Sequence, residues 1–286
     1  MPELPEVETV LRGLRKRALR RRVIQVKVLY KGIIAGDVED FISSIEGRTI
    51  VAARRKGKVL VVEFAGSSTT GMNYLILRLG MTGQVTIQAA DAPLEPHTHV
   101  RMLFEGGTEE LRYRDVRRFG RLRCSTREEL DALLKGLGPD AQQATEKEFM
   151  EAMRGRRGAI KSWLLNQRGV SGLGNIYADE ALFEAGIHPL AQPDHVSPAS
   201  RRRLYRAVQK VLKRAVDLQG TTFRDYIDIE GRAGNYLQRL RVYQKTGKPC
   251  PRCGTSIQRI VIAGRSSHFC PRCQRRPKQT AKMRGL

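Results

Sequence analysis

Four of the five cysteines fall into two pairs, Cys250-x2-Cys253 and Cys270-x2-Cys273, separated by the 16 residues 254–269. This is the spacing of a four-thiolate zinc site, in which two knuckles satisfy a tetrahedral ion and leave no position open for water. The chain between the knuckles must go out and come back. Ser256–Ile262 and His268-Phe269 read as two strands flanking a turn at Ala263-Gly264-Arg265-Ser266-Ser267, a zinc-ribbon hairpin with Arg265 near its tip. Two disulfides fit an intracellular chain poorly, and four free thiols do not explain the spacing. The expectation is one structural Zn2+ on Cys250, Cys253, Cys270 and Cys273. Cys124 is left over and reads as a packed core thiol. His268 stands beside a complete ligand set and reads as structural.

Upstream of this module the hydrophobic period changes once. Ile24, Val26 and Val28 alternate with polar residues, and Val59–Phe64, Tyr74–Leu79, Gln84–Ile87, Val100–Phe104, Leu111–Tyr113 and Leu122–Cys124 read as further short strands. Closely spaced short strands separated by turns indicate a sandwich or barrel. Before them, Val7, Val10, Leu11 and Leu14 mark an amphipathic helix. From about Arg127 the period is helical: Glu128–Lys135, Glu146–Arg154, Ala159–Asn166, Ile176–Ala185, and a long helix opened by Ser197-Pro198. The expected fold is therefore α+β and multidomain. An N-terminal β-sandwich with an N-terminal helix spans 1–134, and a linker spans 135–147. A helical domain follows at 148–240, the zinc finger at 241–275 and a basic tail at 276–286. With 286 residues and 41% hydrophobic content the chain can bury real cores. No apolar run is long enough to span a bilayer, and no signal-peptide core opens the chain. A cytoplasmic protein is expected.

Charge narrows the partner. Fifty-two Lys and Arg face 29 Asp and Glu, a net +23. Such an excess points to a polyanion, either nucleic acid or an acidic membrane, although a merely basic or ribosome-associated protein would share it. The 6% aromatic content argues against a stacking platform for single strands. From Lys245 to Leu286 there is no Asp or Glu at all.

The first eight residues, Met1-Pro2-Glu3-Leu4-Pro5-Glu6-Val7-Glu8, carry the most chemistry. If Met1 is removed, Pro2 presents a secondary amine with a pKa near 8, against about 10.4 for lysine. Such an amine can attack an aldehyde-level carbon and form an iminium, with Glu3 and Glu6 at hand to move protons. The same residues also make an ordinary helix start, with proline and acidic residues in the first turn. The eight residues alone leave both readings open.

Several further motifs occur in order after that start: Arg54-Arg55-Lys56-Gly57-Lys58, Leu79-Gly80-Met81-Thr82-Gly83, Asp115-Val116-Arg117-Arg118-Phe119-Gly120, Gly172-Leu173-Gly174-Asn175-Ile176-Tyr177-Ala178, and the terminal cysteines. Together they resemble the bacterial formamidopyrimidine-DNA glycosylases of the formamidopyrimidine-DNA glycosylase/endonuclease VIII family, over nearly the whole chain. The resemblance implies a helix–two-turn–helix in the second domain. It also implies a bifunctional base-excision-repair enzyme acting on double-stranded DNA with oxidised bases or abasic sites. Such an enzyme removes 8-oxoguanine and formamidopyrimidines, then cleaves the abasic site by β,δ-elimination through a proline iminium.

By the same resemblance, Pro2 is the nucleophile, Glu3 the acid/base, Glu6 a supporting carboxylate and Lys58 a lysine that assists base release. Met81, Arg117 and Phe119 fill the hole left by an extruded base, with Phe119 as wedge and Arg117 on the orphaned cytosine. His97, Lys161, Asn175 and Arg265 complete the DNA-contacting set, the last three at phosphates. The loop around Gly220-Thr221-Thr222 resembles the segment that closes over the extruded base. Read without the resemblance, Lys58 and Arg117 are solvated charges, and Met81 and Phe119 are core. Arg78 is a departure, standing where a histidine is common. An endonuclease VIII type enzyme for oxidised pyrimidines and a noncatalytic zinc-ribbon DNA binder are the rivals. A monomer associated with the nucleoid is expected.

Overall fold

The computed structural model describes residues 2–66 and 70–276. The N-terminal helix α1 (Leu4–Arg17) exists because Leu4, Val7, Val10, Leu11 and Leu14 fall on one stripe, and all of them are buried. It is followed by β1 (Val23–Val28), α2 (Val38–Ser43) and seven strands. These are β2 (Ile50–Lys56), β3 (Val59–Phe64), β4 (Tyr74–Arg78), β5 (Gly83–Ala89), β6 (Thr98–Phe104), β7 (Glu109–Asp115) and β8 (Arg121–Ser125). They form two antiparallel four-stranded sheets, ordered β1-β6-β7-β5 and β2-β3-β4-β8.

One core lies between the sheets. Leu60, Val62, Leu75 and Leu77 meet Val85, Val100, Met102, Phe104, Leu111 and Tyr113 there, with Leu11 and Leu14 of α1. Val59, Val61 and Ile76 point the other way and are covered by Leu130 of α3 (Arg127–Lys135). Burial on both faces is why β3 reads as an unbroken apolar run. Cys124 is buried in the first core as expected, and burial pushes its thiol up to about 12.

Three expectations shift in this half. The register of β1 slips between Val23 and Gln25, so Val23 and Val26 face the core while Ile24 is 44% exposed. A bulge of this kind breaks simple alternation. The stretch 50–56, which carries no clean alternation, is strand β2. The basic run 54–58 is thus mostly the end of a strand, and only Gly57-Lys58 form the turn.

The second half contains α4 (Glu146–Met153), α5 (Ile160–Leu165), α6 (Asn175–Ala185), α7 (Pro198–Asp217) and the hairpin β9 (Gln258–Ile262) and β10 (Arg265–Phe269). The chain divides into two compact units that differ from the expected contiguous domains. Met1–Leu137 is joined by Leu212–Arg239, and Gly138–Val211 by Leu240–Leu286. The division falls inside α7, so 212–239 leaves the helical domain expected at 148–240. The expected linker 135–147 is no free tether. Ala141 is fully buried, and Asp140 bridges to Ser171. The finger expected at 241–275 shares its unit with the helices. All of the expected basic tail except Arg276 lies outside the described residues.

Candidate active site and DNA-contacting elements

Pro2, Glu3 and Glu6 are buried together at the start of α1, with the two glutamates each 1% exposed. Glu6 is the organising group. Its Oε2 accepts the backbone N–H of Glu3 at 2.7 Å, and its Oε1 accepts the N–H of Thr221, also at 2.7 Å. One carboxylate thus ties the chain start to the loop at 220, both in the first unit. Gly220 sits at φ +83, and a Cβ there would come within 2.7 Å of Glu6 Oε1, so only glycine allows this approach. Tyr226 donates its hydroxyl to the Glu6 carbonyl at 3.3 Å. Burial, and then the Glu6 charge, push that phenol above its ordinary value, so it stays a donor.

Lys58 occupies the β2–β3 turn and is half-buried. The turn is coupled to α1 by Arg55, whose side chain is 1% exposed and whose Nε donates to Glu8 Oε2 at 2.6 Å. Arg55 also reaches the Gly57 carbonyl at 3.5 Å. Neither Arg55 nor Glu8 was given a role from sequence. In a chain with 52 cations, one buried arginine carries no local signal.

Phe119 is 55% exposed at the tip of the 116–120 loop, with Arg117 stacked over its ring at 4.6 Å to the centroid. A large aromatic this exposed is not core, which removes the bland reading of Phe119, while the exposure of Arg117 fits a solvated charge as well as a contact. Met81 lies half-buried in the β4–β5 turn. The two loops touch at Gly80, where a Cβ would lie 2.6 Å from the Gly120 nitrogen and the Phe119 carbonyl carbon. His97 is exposed, with φ +66. Arg78 is exposed at the end of β4.

In the second unit, Asn175 is the first residue of α6, behind a Gly174 N-cap that offers no side-chain acceptor. Its Oδ1 is buried without a partner among the described residues. Lys161 is a correction. It was expected at a phosphate, yet its side chain is 0% exposed, and its ammonium donates to Asp179 Oδ1 at 2.6 Å and to the Ser266 carbonyl at 2.7 Å. Asp179 Oδ2 accepts both the backbone N–H and the Nδ1 of His268, at 2.9 Å each. Lys161 therefore fastens β10 to α5 and α6 and reaches no surface anion.

Arg265 is exposed as the first residue of β10. The hairpin turn is shorter than expected, with only Ala263 and Gly264 between β9 and β10. At its base the four cysteine sulfurs lie within 4.8 Å of one another, with separations of 3.5 Å for Cys253–Cys270, 3.5 Å for Cys253–Cys273 and 3.9 Å for Cys250–Cys273. A tetrahedron with Zn–S bonds of about 2.3 Å has edges of about 3.8 Å, and a disulfide needs about 2.05 Å. The four thiols fit one structural zinc.

Residues 1–122 match the family model for the formamidopyrimidine-DNA glycosylase N-terminal domain, 136–226 that for its H2TH domain, and 247–276 that for the zinc finger found in FPG and IleRS. A formamidopyrimidine-DNA glycosylase from Moorella thermoacetica is 43% identical over 259 residues, covering 89% of this chain and 92% of the relative. The chain belongs to the formamidopyrimidine-DNA glycosylase family. Two solved structures of the Lactococcus lactis family member also superpose on it. One is bound to DNA containing an abasic site, the other to DNA containing N7-benzyl-Fapy-dG. Each has a TM-score of 0.87 at 37% identity and covers 96% of this chain and 100% of the other. In family terms, the Pro2–Glu6 cluster and the 80–83 and 116–120 loops belong to the N-terminal domain. Lys161 and Asn175 belong to the H2TH domain and the cysteines to the finger.

Proposed function

We propose that this chain is a bifunctional DNA glycosylase of base-excision repair that removes oxidised purines from duplex DNA and cleaves the abasic site left behind. The observation that carries the reading is the buried Glu6 clamp, which fixes the chain start against the 220 loop. The Glu3 arm is an ordinary capping box, but an ordinary helix start needs neither the second arm to Thr221 nor a glycine pressed against the carboxylate.

Once Met1 is removed, the Pro2 nitrogen attacks C1′ of an extruded nucleotide, because a base inside the stack cannot be reached. The C1′–N bond breaks and the base leaves with a proton. Glu3 protonates the sugar ring oxygen, the ring opens and the nitrogen lone pair forms the iminium. Loss of a C2′ proton then breaks the C3′–O bond. Loss of a C4′ proton breaks the C5′–O bond, and water releases the remaining sugar fragment. Glu6 already accepts two backbone amides, so its role is to orient the amine and hold a negative charge beside it. Lys58 contacts the target phosphate. Phe119 wedges into the stack, with Met81 and Arg117 filling the hole. Asn175 and Arg265 hold phosphates, and the +23 net charge supplies salt-sensitive affinity.

Borohydride trapping of the untagged protein on a duplex with 8-oxoguanine opposite cytosine tests this. A covalent adduct through Pro2 is expected, and a form that retains Met1 should bind DNA without trapping. An adduct only on an oxidised-pyrimidine duplex would move the chain to the endonuclease VIII type. No adduct on either duplex would leave a noncatalytic DNA binder.

A further inference from the structure

Two of the loops assigned to DNA contact in the first unit, the Met81 turn and the Arg117–Phe119 loop, meet on one buried side chain that the chemistry above does not use, and the His97 segment meets the backbone of the same residue. Asp115, at the end of β7, is fully buried. Its Oδ1 accepts the Thr82 hydroxyl, next to Met81, and the Arg117 N–H at 3.3 Å. Its Oδ2 accepts the Gly120 N–H at 2.7 Å, next to Phe119, and the Tyr113 hydroxyl at 3.4 Å. Thr82 Oγ1 in turn accepts the Arg117 N–H at 3.0 Å. The backbone of Asp115 takes part as well: its N–H donates to the His97 carbonyl at 3.1 Å, and its carbonyl accepts from His99 Nε2 at 2.8 Å. Burial, and then the Asp115 charge, raise the Tyr113 phenol, which therefore remains a donor.

We propose that Asp115 is the positioning residue that locks the Met81 turn, the Arg117–Phe119 loop and the His97 segment into one rigid wedge. The inference rests on the wedge role assigned above. A loop whose tip exposes Phe119 and Arg117 has no core of its own. Without an internal anchor it would give way when pushed between stacked bases, and the base would stay in. A carboxylate suits the task because it accepts from several donors and donates to none. Asparagine would turn a donor toward the N–H of Gly120 or Arg117.

The test compares Asp115→Asn, Thr82→Val, Thr82→Ser and Phe119→Ala in the full-length zinc-loaded protein. Three readouts are needed: excision of 8-oxoguanine opposite cytosine, cleavage of a pre-formed abasic site, and fluorescence of a 2-aminopurine placed beside the lesion. A pre-formed abasic site has no base to pull from the stack. Asp115→Asn should slow excision by about 10- to 100-fold, since misplacement on the order of 1 Å is enough for that. Cleavage of the abasic site should stay within about threefold, and the 2-aminopurine unstacking signal should fall with excision. Thr82→Val should act in the same direction and Thr82→Ser should restore the wild-type rate. If Asp115→Asn does not fold, the Thr82 pair decides by the same criterion. Slow excision in Phe119→Ala with wild-type rates in the Asp115 and Thr82 variants overturns the proposal and leaves the wedge. Wild-type rates in Phe119→Ala overturn the wedge and the proposal together. An equal loss on both substrates would mean a structural role only, and overturns it too.

Discussion

Two of the exposed tips that carry arginines, at 116–120 and at 263–265, are held in different ways. The 116–120 loop hangs from one buried carboxylate, Asp115, inside a sheet that has a full apolar core. The 263–265 tip ends a two-stranded hairpin whose own core is small: Phe183, Val242 and Ile257 gathered around Cys250 and Cys270. It relies on a metal at its base and on the Lys161–Asp179–His268 cluster along β10. A loop on a large sandwich needs only hydrogen bonds to fix its shape. A hairpin too small to hold itself needs covalent-strength ligands and a buried ion pair.

Metal removal tests the contrast most sharply. Structural zinc in small fingers contributes on the order of 10 kcal/mol of folding free energy. Chelation should therefore unprotect the amides of 247–276 in hydrogen exchange, while the sandwich amides around Asp115 keep their protection. Uniform loss of protection across both regions would erase the distinction. The next effect is Lys161→Met. It leaves Asp179 buried without its cation, and breaking such a pair costs about 3–5 kcal/mol. The melting temperature should fall by several degrees, and DNA affinity should fall because β10 and Arg265 lose their fastening. If Lys161 contacted phosphate directly, affinity would drop and its salt dependence would flatten, with little change in stability.

Much of this was legible in the sequence because its cause is local. The zinc site follows from spacing, the helices from a 3.6-residue period, and most of the strands from short apolar or alternating runs between turns. What was missed depends on partners distant in the chain. Lys161 cannot be told from a surface lysine until Asp179 and Ser266 fold against it. Ile24 looked inward until a bulge turned it out. The segment 212–239 begins inside helix α7, yet it belongs with the first unit, where Ile229 lies against Gly13 of α1. Asp115 stood in plain view at the head of a basic motif. Its meaning lay in Thr82 and Gly120, which no periodicity connects.

The smallest effect concerns how the finger is tied to α6. Glu184, near the end of that helix, accepts Arg241 at 2.6 Å and Arg252 at 3.0 Å, and also pairs with Lys210. Burial would raise its carboxyl, but Lys210, Arg241 and Arg252 outweigh that and hold it below the ordinary value of 4.5. A depressed carboxyl stabilises the fold above its unfolded value, and that share is lost as pH falls through the folded one. The site is partly solvated, so about 1 kcal/mol is the scale. Glu184→Gln should lower the melting temperature by a few degrees at pH 7, and the gap to wild type should close as pH drops below about 4.5. A gap that persists unchanged at pH 3 would mean that packing of the side chain, not its charge, ties Arg241 and Arg252 to the helix. The comparison would then turn on the metal and on Lys161 alone.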